Sequence, residues 1–233
     1  MGAKVVGLAR YPVKSMLGEA CTELDCDERG LAGDRLWAVR DAAGKLGSGK
    51  STTRFRRIDG LLGYAARYDE AGVPVVTTPG GETLHAADTD TGARLSRLLG
   101  VSVTLAREED VSHMDAGALS LTTTGSLRAL GRLLGDDEPV DARRFRKNVL
   151  IDLAEPWVED TWVGRQVTIG SVRLRISKRI ERCVMVDLPQ RDLPADGRVL
   201  KTLGDLRDLC FGVYAEVVTP GRIAIGDVLE VTT

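Results

Sequence analysis

The sequence has little of several features that define common classes of protein. Only two histidines, His85 and His113, occur among 233 residues, which disfavours a His-rich metal site or a histidine base, and we expect both in surface loops. The 32 Lys and Arg residues nearly balance the 34 Asp and Glu residues, so the net charge of -2 argues against a dedicated nucleic-acid binder. No apolar run approaches the roughly 18 residues of a membrane helix, and the N-terminal apolar stretch is too short for a signal peptide. We therefore expect a cytoplasmic protein that binds neither nucleic acid nor membrane.

Cysteines are also few. The four are Cys21, Cys26, Cys183 and Cys210, and they form no CxxC pair. Without an export signal, we expect free thiols and no disulfide framework. Cys183 differs from the others because it directly follows Arg182, and cations beside a thiol favour the thiolate, which binds soft metals. A solvated basic surface with no special role for the thiol is the alternative.

The distribution of glycine predicts a chain rich in β-structure. Its 26 glycines separate many short Val, Ile and Leu runs, as in β-barrels and β-sandwiches. The clearest hairpin has Gly170 and Ser171 as a two-residue turn between alternating apolar positions. We predict strands near residues 4–11, 36–40, 63–68, 73–78, 101–106, 147–153, 166–169, 172–177, 213–219 and 228–232.

Helical periodicity occurs in two segments. The first begins after a cap at residues 89–90 and ends at Gly100, and the second begins after a cap at 123–124 and ends at Gly135. A weaker third helix is predicted at 200–209. The fold class is therefore mainly β, of the α+β type, with a few helices.

A polar segment at residues 108–117 separates the two regular helices and is the best candidate for a domain boundary. We predict an N-terminal β-barrel-like domain at 1–112 and a second domain at 113–233. No internal repeat is visible in either part.

The string GKLGSGKS at residues 44–51 matches the phosphate-loop pattern GxxxxGK[ST] of nucleotide-binding proteins. That loop works where a buried parallel strand enters and a helix leaves, so that phosphate meets the helix N-terminus. Here residues 37–44 have the pattern of a half-exposed strand and a turn, and 52–57 have no apolar helical stripe. A glycine-rich hairpin loop is favoured over nucleotide hydrolysis, and Lys50→Ala is expected to be harmless.

Basic residues cluster at three places, residues 54–57, 143–147 and 178–182. If the clusters converge in the fold, they form a site for an anion. If they do not, they are three separate solvated strand ends. The sequence pattern leaves both possibilities open.

Several longer strings occur in order along essentially the whole chain. They are YPVKS (11–15), GLAGDRLW (30–37), RFRKN (144–148), PWVEDTW (156–162), Arg182-Cys183, FGVY (211–214) and PGRIAIGD (220–227). Together these strings resemble the MOSC family, named for the C-terminal domain of molybdenum cofactor sulfurase, in its form with an N-terminal β-barrel domain. The resemblance implies that the C-terminal domain is a MOSC β-barrel.

The resemblance also implies a cleft between the domains that holds the molybdenum cofactor, a pterin dithiolate with a phosphate. By position, Cys183 resembles the family's molybdenum-ligating cysteine, and a thiolate is the soft ligand that this metal accepts. It is the only catalytic residue and metal ligand that the resemblance implies here. The implied cofactor contacts, which offer charge and hydrogen bonds to a polyanion, are Lys14, Ser15, Arg35, Arg54, Arg146, Asn148, Arg182 and Cys183.

The activity that the resemblance implies is that of a molybdenum-dependent oxidoreductase reducing small N-hydroxylated compounds by two-electron oxygen transfer. The sequence has no iron–sulfur or flavin motif, so electrons are expected from a separate reductase. A binding protein that carries, sulfurates or delivers the cofactor, with sulfur on Cys183, is the alternative. Lys147 and Glu181 depart from the amidoxime-reducing members, which resemble this chain but have proline and serine there.

Overall fold

The computed structural model describes residues 2–232, and most of its regular structure is β. The strands are β1 (Ala3–Arg10), β2 (Glu19–Ala20), β3 (Glu23–Asp27), β4 (Gly30–Leu31), β5 (Trp37–Asp41), β6 (Leu46–Ser48), β7 (Phe55–Arg57), β8 (Ala65–Tyr68), β9 (Pro74–Thr77), β10 (Thr83–His85), β11 (Val103–Arg107), β12 (Leu119–Thr123), β13 (Val149–Asp152), β14 (Gln166–Ile169), β15 (Val172–Glu181), β16 (Cys210–Thr219), β17 (Gly221–Ala224) and β18 (Val228–Thr232). The α-helices are α1 (Thr91–Leu99), α2 (Thr124–Leu134) and α3 (Arg198–Arg207). Short 3₁₀ turns span Leu61–Gly63, Ala142–Phe145, Val158–Trp162 and Val184–Val186.

Seven strands close into a barrel in the order β13, β12, β16, β15, β14, β18 and β1, with β1 pairing antiparallel to β13. Strand β15 illustrates the alternation that encloses the core. Val172, Leu174 and Ile176 are fully buried. The residues between them, Arg173 and Arg175, are exposed. A period of two with one apolar face is what a barrel wall requires.

The N-terminal half adds a smaller unit of two sheets, ordered β11-β5-β6-β7 and β10-β9-β8. Helix α1 covers a core that contains Val39, Leu61, Val76 and Leu95. The mainly β fold with few helices is thus confirmed. The first strand, β1, lies in the C-terminal barrel, and β17 pairs with β3, so the two units exchange strands. The predicted division between residues 112 and 113 stays a prediction.

The helices occur where periodicity predicts them. The side chain of Thr123 caps α2 by accepting a hydrogen bond from the Ser126 backbone N–H, and Gly135 ends the helix in the left-handed conformation at φ 80°. Asp90 precedes α1 without a capping hydrogen bond from its side chain. None of the helices in residues 2–232 is long and apolar enough to cross a membrane.

The hairpin loop predicted for the glycine-rich segment 44–51 is confirmed only at the turn of residues 42–45, which joins the antiparallel strands β5 and β6. The rest of the segment is β6 itself and the start of a loop, residues 49–54, that leads to the parallel strand β7; in the described chain no helix lies between β6 and β7. Gly49 permits a close approach, since a Cβ there would lie 2.4 Å from Met185 Sδ. The Gly49 N–H instead donates to that sulfur at 3.2 Å. The loop therefore holds the segment that follows Cys183 and lacks the helix that a phosphate loop needs.

A buried carboxylate ties the 3₁₀ turn Val158–Trp162 to the start of α2. Glu159 is fully buried and accepts hydrogen bonds from the hydroxyls of Thr122 (2.9 Å), Thr123 (3.1 Å) and Ser126 (2.7 Å). These hydroxyls have no access to water that could replace the carboxylate. The carboxylate is therefore a structural acceptor, remote from any open surface.

Glu159→Ala should destabilise the chain by about 3 kcal/mol, because it leaves three buried hydroxyls without their acceptor and opens a cavity. Thermal unfolding should show a Tm lower by about 9 °C. The matched control is Glu155→Ala, four residues earlier and exposed, which should shift Tm by about 1 °C or less. Equal Tm values for the two variants would contradict this account.

Candidate functional site

A cleft of about 390 Å³ lies between loops of the N-terminal unit and one end of the barrel. Six of the eight predicted site residues line it, namely Lys14, Ser15, Arg35, Arg146, Arg182 and Cys183. The cleft is also lined by side chains that are not among those eight, including Ser48, Lys50, Asp115, Ser120, Lys178, Glu181 and Tyr214. The cleft is within the size range of small-molecule sites.

Three of the lining residues have left-handed backbone conformations. The φ angles are 64° at Ser15, 51° at Arg35 and 51° at Arg146. Residues other than glycine rarely adopt this region, and such outliers persist where the surrounding structure enforces them. At Arg146 this conformation ends the 3₁₀ turn Ala142–Phe145. All three residues line the cleft.

Tyr11 holds two of these arginines close together. The guanidinium carbons of Arg146 and Arg35 lie 4.3 Å and 5.0 Å from the centre of its ring. Asp34 accepts from the Tyr11 N–H at 2.8 Å and pairs with Arg35. Burial, and then the charge of Arg35, lower the pKa of Arg146 to about 10. An anion that enters the cleft would stabilise these two buried, mutually repelling positive charges.

Two arginines of the cleft each have a buried guanidinium nitrogen with no acceptor within residues 2–232; outside the cleft the same holds for Arg40 and Arg207. Arg146 donates from Nη1 to the Met16 carbonyl, but its Nη2 is unpaired. Arg182 donates from Nη2 to the Phe145 carbonyl at 3.0 Å, but its Nε is unpaired. Burial lowers the pKa of Arg182. A buried N–H group of a charged guanidinium that has no acceptor is suited to donate a hydrogen bond to an anionic ligand.

Lys14 and Asp115 form an ion pair across the cleft, with Nζ and Oδ1 separated by 2.7 Å. Lys14 is buried, and burial lowers its pKa to about 8 although Asp115 raises it. Burial raises the pKa of Asp115, but the charges of Lys14 and Arg35 lower it to about 2. The carboxylate is therefore ionised at neutral pH and partly neutralises the cluster.

Asn148 and Arg54, the other two predicted contacts, do not line the cleft. Asn148 is buried, and its Oδ1 accepts from the Ser120 N–H and hydroxyl at 3.1 Å and 2.9 Å, so it positions a residue that does line the cleft. Arg54 donates to the carbonyls of Ser112 and Met114. It therefore fixes the segment that carries Asp115.

Cys183 lies at the end of β15, just before the 3₁₀ turn Val184–Val186, and is half-buried on the cleft wall. The other thiols face different surroundings. Burial raises the pKa of Cys26 to about 12 and also raises the pKa of Cys21 and of Cys210. Within residues 2–232 there is no cluster of three or more His, Cys, Asp or Glu side chains suited to a metal.

Tyr214 and Lys50 are site residues that the sequence analysis missed. The Tyr214 ring packs under Gly117, where an added Cβ would lie 2.7 Å from the ring. Burial raises the pKa of Tyr214, so its hydroxyl is protonated at neutral pH. Lys50 lies 5.4 Å from the centre of the Phe55 ring, on the wall opposite the barrel. The prediction that Lys50→Ala is harmless is therefore tested by two measurements, ligand binding in the cleft and nucleotide binding.

The prediction that both histidines lie in surface loops is wrong. His85 belongs to β10 and contacts Asp69 at 2.7 Å. His113 is fully buried, with Nε2 2.8 Å from Arg40 Nη2. Burial and the charge of Arg40 lower the pKa of His113 to about 4, although Glu108 raises it. Because the residues next to His113 in the sequence are polar, the burial of its side chain could not be predicted. The buried side chain holds the 108–117 segment against the rest of the fold.

His113 should make the chain sensitive to acid between about pH 6.5 and 4. In that window the unfolded chain binds a proton at this residue and the folded chain does not, so acidification lowers the free energy of unfolding. We expect His113→Gln to remove about 2 kcal/mol of this pH dependence, measured by urea unfolding at pH 7 and pH 4.5. A variant with an unchanged slope against pH would show that other groups cause the acid sensitivity.

The fold is similar to that of the YuaD protein from Bacillus subtilis, with a TM-score of 0.51, 16% identity and coverage of 99% of this chain and 96% of that one. The chain is 25% identical over 256 residues to molybdenum cofactor sulfurase from Danio rerio, spanning 88% of this chain and 31% of that protein. It is 22% identical over 271 residues to mitochondrial amidoxime-reducing component 1 from Homo sapiens, spanning 93% of this chain and 79% of that protein. The chain thus corresponds to less than a third of the sulfurase.

Two family profiles match the sequence. The MOSC N-terminal β-barrel domain matches residues 2–121, and the MOSC domain matches residues 108–230. Each match covers more than half of the 233 residues, and the two overlap in the segment that carries Asp115. The chain belongs to the MOSC family.

Proposed function

We propose that this protein binds the molybdenum cofactor in the cleft and uses it to reduce small N-hydroxylated compounds. The observation that carries the proposal is the convergence of a half-buried thiol, Cys183, with buried cations whose donors are not all satisfied. The name of the human relative, an amidoxime-reducing component, supports the reaction. The name of the relative from Danio rerio, a molybdenum cofactor sulfurase, supports the cofactor.

The lining residues fit such a cofactor. The unpaired nitrogens of Arg146 and Arg182, together with Arg35 and Lys14, would hold its phosphate and pterin oxygens. Cys183 would supply one soft thiolate to the metal. When bound, the cofactor supplies the two-electron redox chemistry. The chain supplies orientation and a positive environment.

Protons for the reaction would come from the cleft itself. Reduction of an amidoxime follows RC(NH₂)=NOH + 2e⁻ + 2H⁺ → RC(NH₂)=NH + H₂O, so two protons are consumed. The Tyr214 hydroxyl, protonated and on the cleft wall, is suited to donate one of them. Asp115 is ionised and cannot act as the acid in this state. The electrons would come from a separate reductase protein.

A carrier of the cofactor or of its sulfur is the second candidate. Cys183 is only half-buried, and its neighbours Glu181 and Val184 are exposed, so the thiol is accessible for sulfur transfer. The similarity to a molybdenum cofactor sulfurase favours this candidate. Such a carrier would bind the cofactor without turning over an organic substrate.

The deciding experiment is reduction of benzamidoxime by the cofactor-loaded protein with reduced methyl viologen as electron donor. We expect formation of benzamidine, and about a tenfold or greater loss of turnover in a loaded Tyr214→Phe variant that retains its molybdenum. Reduction of 6-hydroxylaminopurine is measured alongside. A loaded protein that reduces neither compound contradicts the proposed activity and favours the carrier.

A further inference from the structure

The outer face of β15 carries a row of cations. Arg173, Arg175 and Lys178 are exposed, and within residues 2–232 none of them takes part in an ion pair or a side-chain hydrogen bond. Arg179 on the same strand differs, because it pairs with Asp208 at 3.1 Å. We call Arg173, Arg175 and Lys178 the basic row.

The basic row leads to the cleft. At about 3.3 Å per strand residue, it extends about 16 Å along β15, and Lys178 lines the cleft itself. Five residues further along the chain is Cys183. Lys50 is on the opposite wall and also has no ion pair among the described residues. The mouth of the cleft is therefore positive on both sides.

Neighbouring acids do not cancel this charge at the mouth. Glu216 is opposite Arg175 on β16, at the end of the row remote from the cleft, and makes no ion pair there. Glu181 and Asp115 are the two carboxylates of the described chain that line the cleft, and Asp115 is paired with Lys14. Val184, next to Cys183, is 40% exposed and adds an apolar contact point. This surface therefore has a small apolar centre and a charged rim, an arrangement that is typical of transient protein–protein interfaces.

We propose that the basic row and the mouth of the cleft form the docking surface for an acidic electron-transfer protein. The inference rests on the proposed function, because the donor's electrons are needed only if the bound cofactor turns over. Charge complementarity selects an acidic partner, steers its approach and allows rapid release between the two one-electron deliveries. The apolar contact point places the partner over Cys183.

Charge reversal in the row tests the surface. Arg173→Glu/Arg175→Glu changes residues that do not line the cleft, and the matched control, Arg67→Glu/Arg97→Glu, changes two exposed arginines of the N-terminal unit. Binding of an acidic [2Fe–2S] ferredoxin and of a flavodoxin to the cofactor-free proteins is measured by biolayer interferometry at low and high salt. We expect salt-sensitive binding of at least one carrier, weakened about tenfold in the row variant and unchanged in the control.

Turnover separates this inference from the proposed function. With reduced methyl viologen, the loaded row variant should reduce benzamidoxime as the wild type does, whereas with the protein donor its kcat/KM for the donor should fall about tenfold. Absence of viologen-driven turnover in the wild type would contradict the proposed function, while the binding assay still tests the surface. Binding of neither carrier, equal binding by row variant and control, or preferential capture of an oligonucleotide by the row would overturn the inference.

Discussion

Replacement of Cys183 by serine should reduce N-hydroxy reduction by about 100-fold or more while the fold is retained. The side chain is half-buried on the cleft wall and follows an extended strand, so exchange of sulfur for oxygen disturbs little packing. A serine hydroxyl is a much poorer ligand than a thiolate for a soft metal. Turnover of benzamidoxime with reduced methyl viologen and the Tm of each variant are the measurements.

The other three thiols provide the controls. Cys21→Ala, Cys26→Ala and Cys210→Ala should each retain most of the turnover, because none of these thiols lines the cleft. Cys26 is buried, so its variant should lose some stability and little activity. Undiminished turnover in well-folded Cys183→Ser, or equal losses in all four variants, would remove Cys183 from the mechanism.

Arg146→Gln should reduce retention of the cofactor about 100-fold with little change in the Tm of the cofactor-free protein, because relief of the repulsion from Arg35 offsets loss of the hydrogen bond to the Met16 carbonyl. The charge of Arg146 is costly in the empty cleft, since burial and Arg35 lower its pKa to about 10. Glutamine removes that repulsion and, like arginine, carries a Cβ at φ 51°, so backbone strain is unchanged. The anion loses one of the buried cations that line the cleft.

Arg144→Gln is the matched control for this prediction. Arg144 is also buried, but it donates to the carbonyls of Val186 and Pro194 and does not line the cleft. We expect it to lower Tm and to leave molybdenum content unchanged in protein that remains folded. Molybdenum content after dialysis and Tm are measured for both variants. Arg146→Gln should lower the molybdenum content and not the Tm, whereas Arg144→Gln should lower the Tm and not the molybdenum content. Equal molybdenum content in the two variants would show that Arg146 does not hold the cofactor.

Local patterns in the sequence predicted ten of the 18 strands in the described chain and all three helices, but missed several short strands and the barrel strand β12. Alternation of apolar residues marks β15, and Gly135 and Thr123 mark the ends of α2. Barrel closure could not be predicted this way, because the pairing of β1 with β13 joins residues about 140 positions apart and depends on the whole sheet. The 3₁₀ turns were missed since their periodicity is too short to show.

The site was only partly predictable. Resemblance to the family identified six residues of the cleft, but composition could not show which basic residues face it. The cluster at 143–147 divides, for example: Arg146 faces the cleft, whereas Lys147 is buried and donates to the Phe211 carbonyl at 2.9 Å. His113 and Asp115 lie in a polar segment whose sequence is typical of a linker. The segment becomes part of the site only through tertiary packing, which buries His113 and pairs Asp115 with Lys14.

Molybdenum content is the most direct test of the central claim that the cleft binds the molybdenum cofactor. Protein purified from cells that synthesise the cofactor should contain about one molybdenum and one pterin per chain, measured by elemental analysis and pterin fluorescence. Protein from cells unable to make the cofactor should be folded, free of molybdenum and able to take up the cofactor in vitro. Wild-type protein from the competent cells that repeatedly contains no molybdenum, and that cannot be loaded in vitro, would contradict the account.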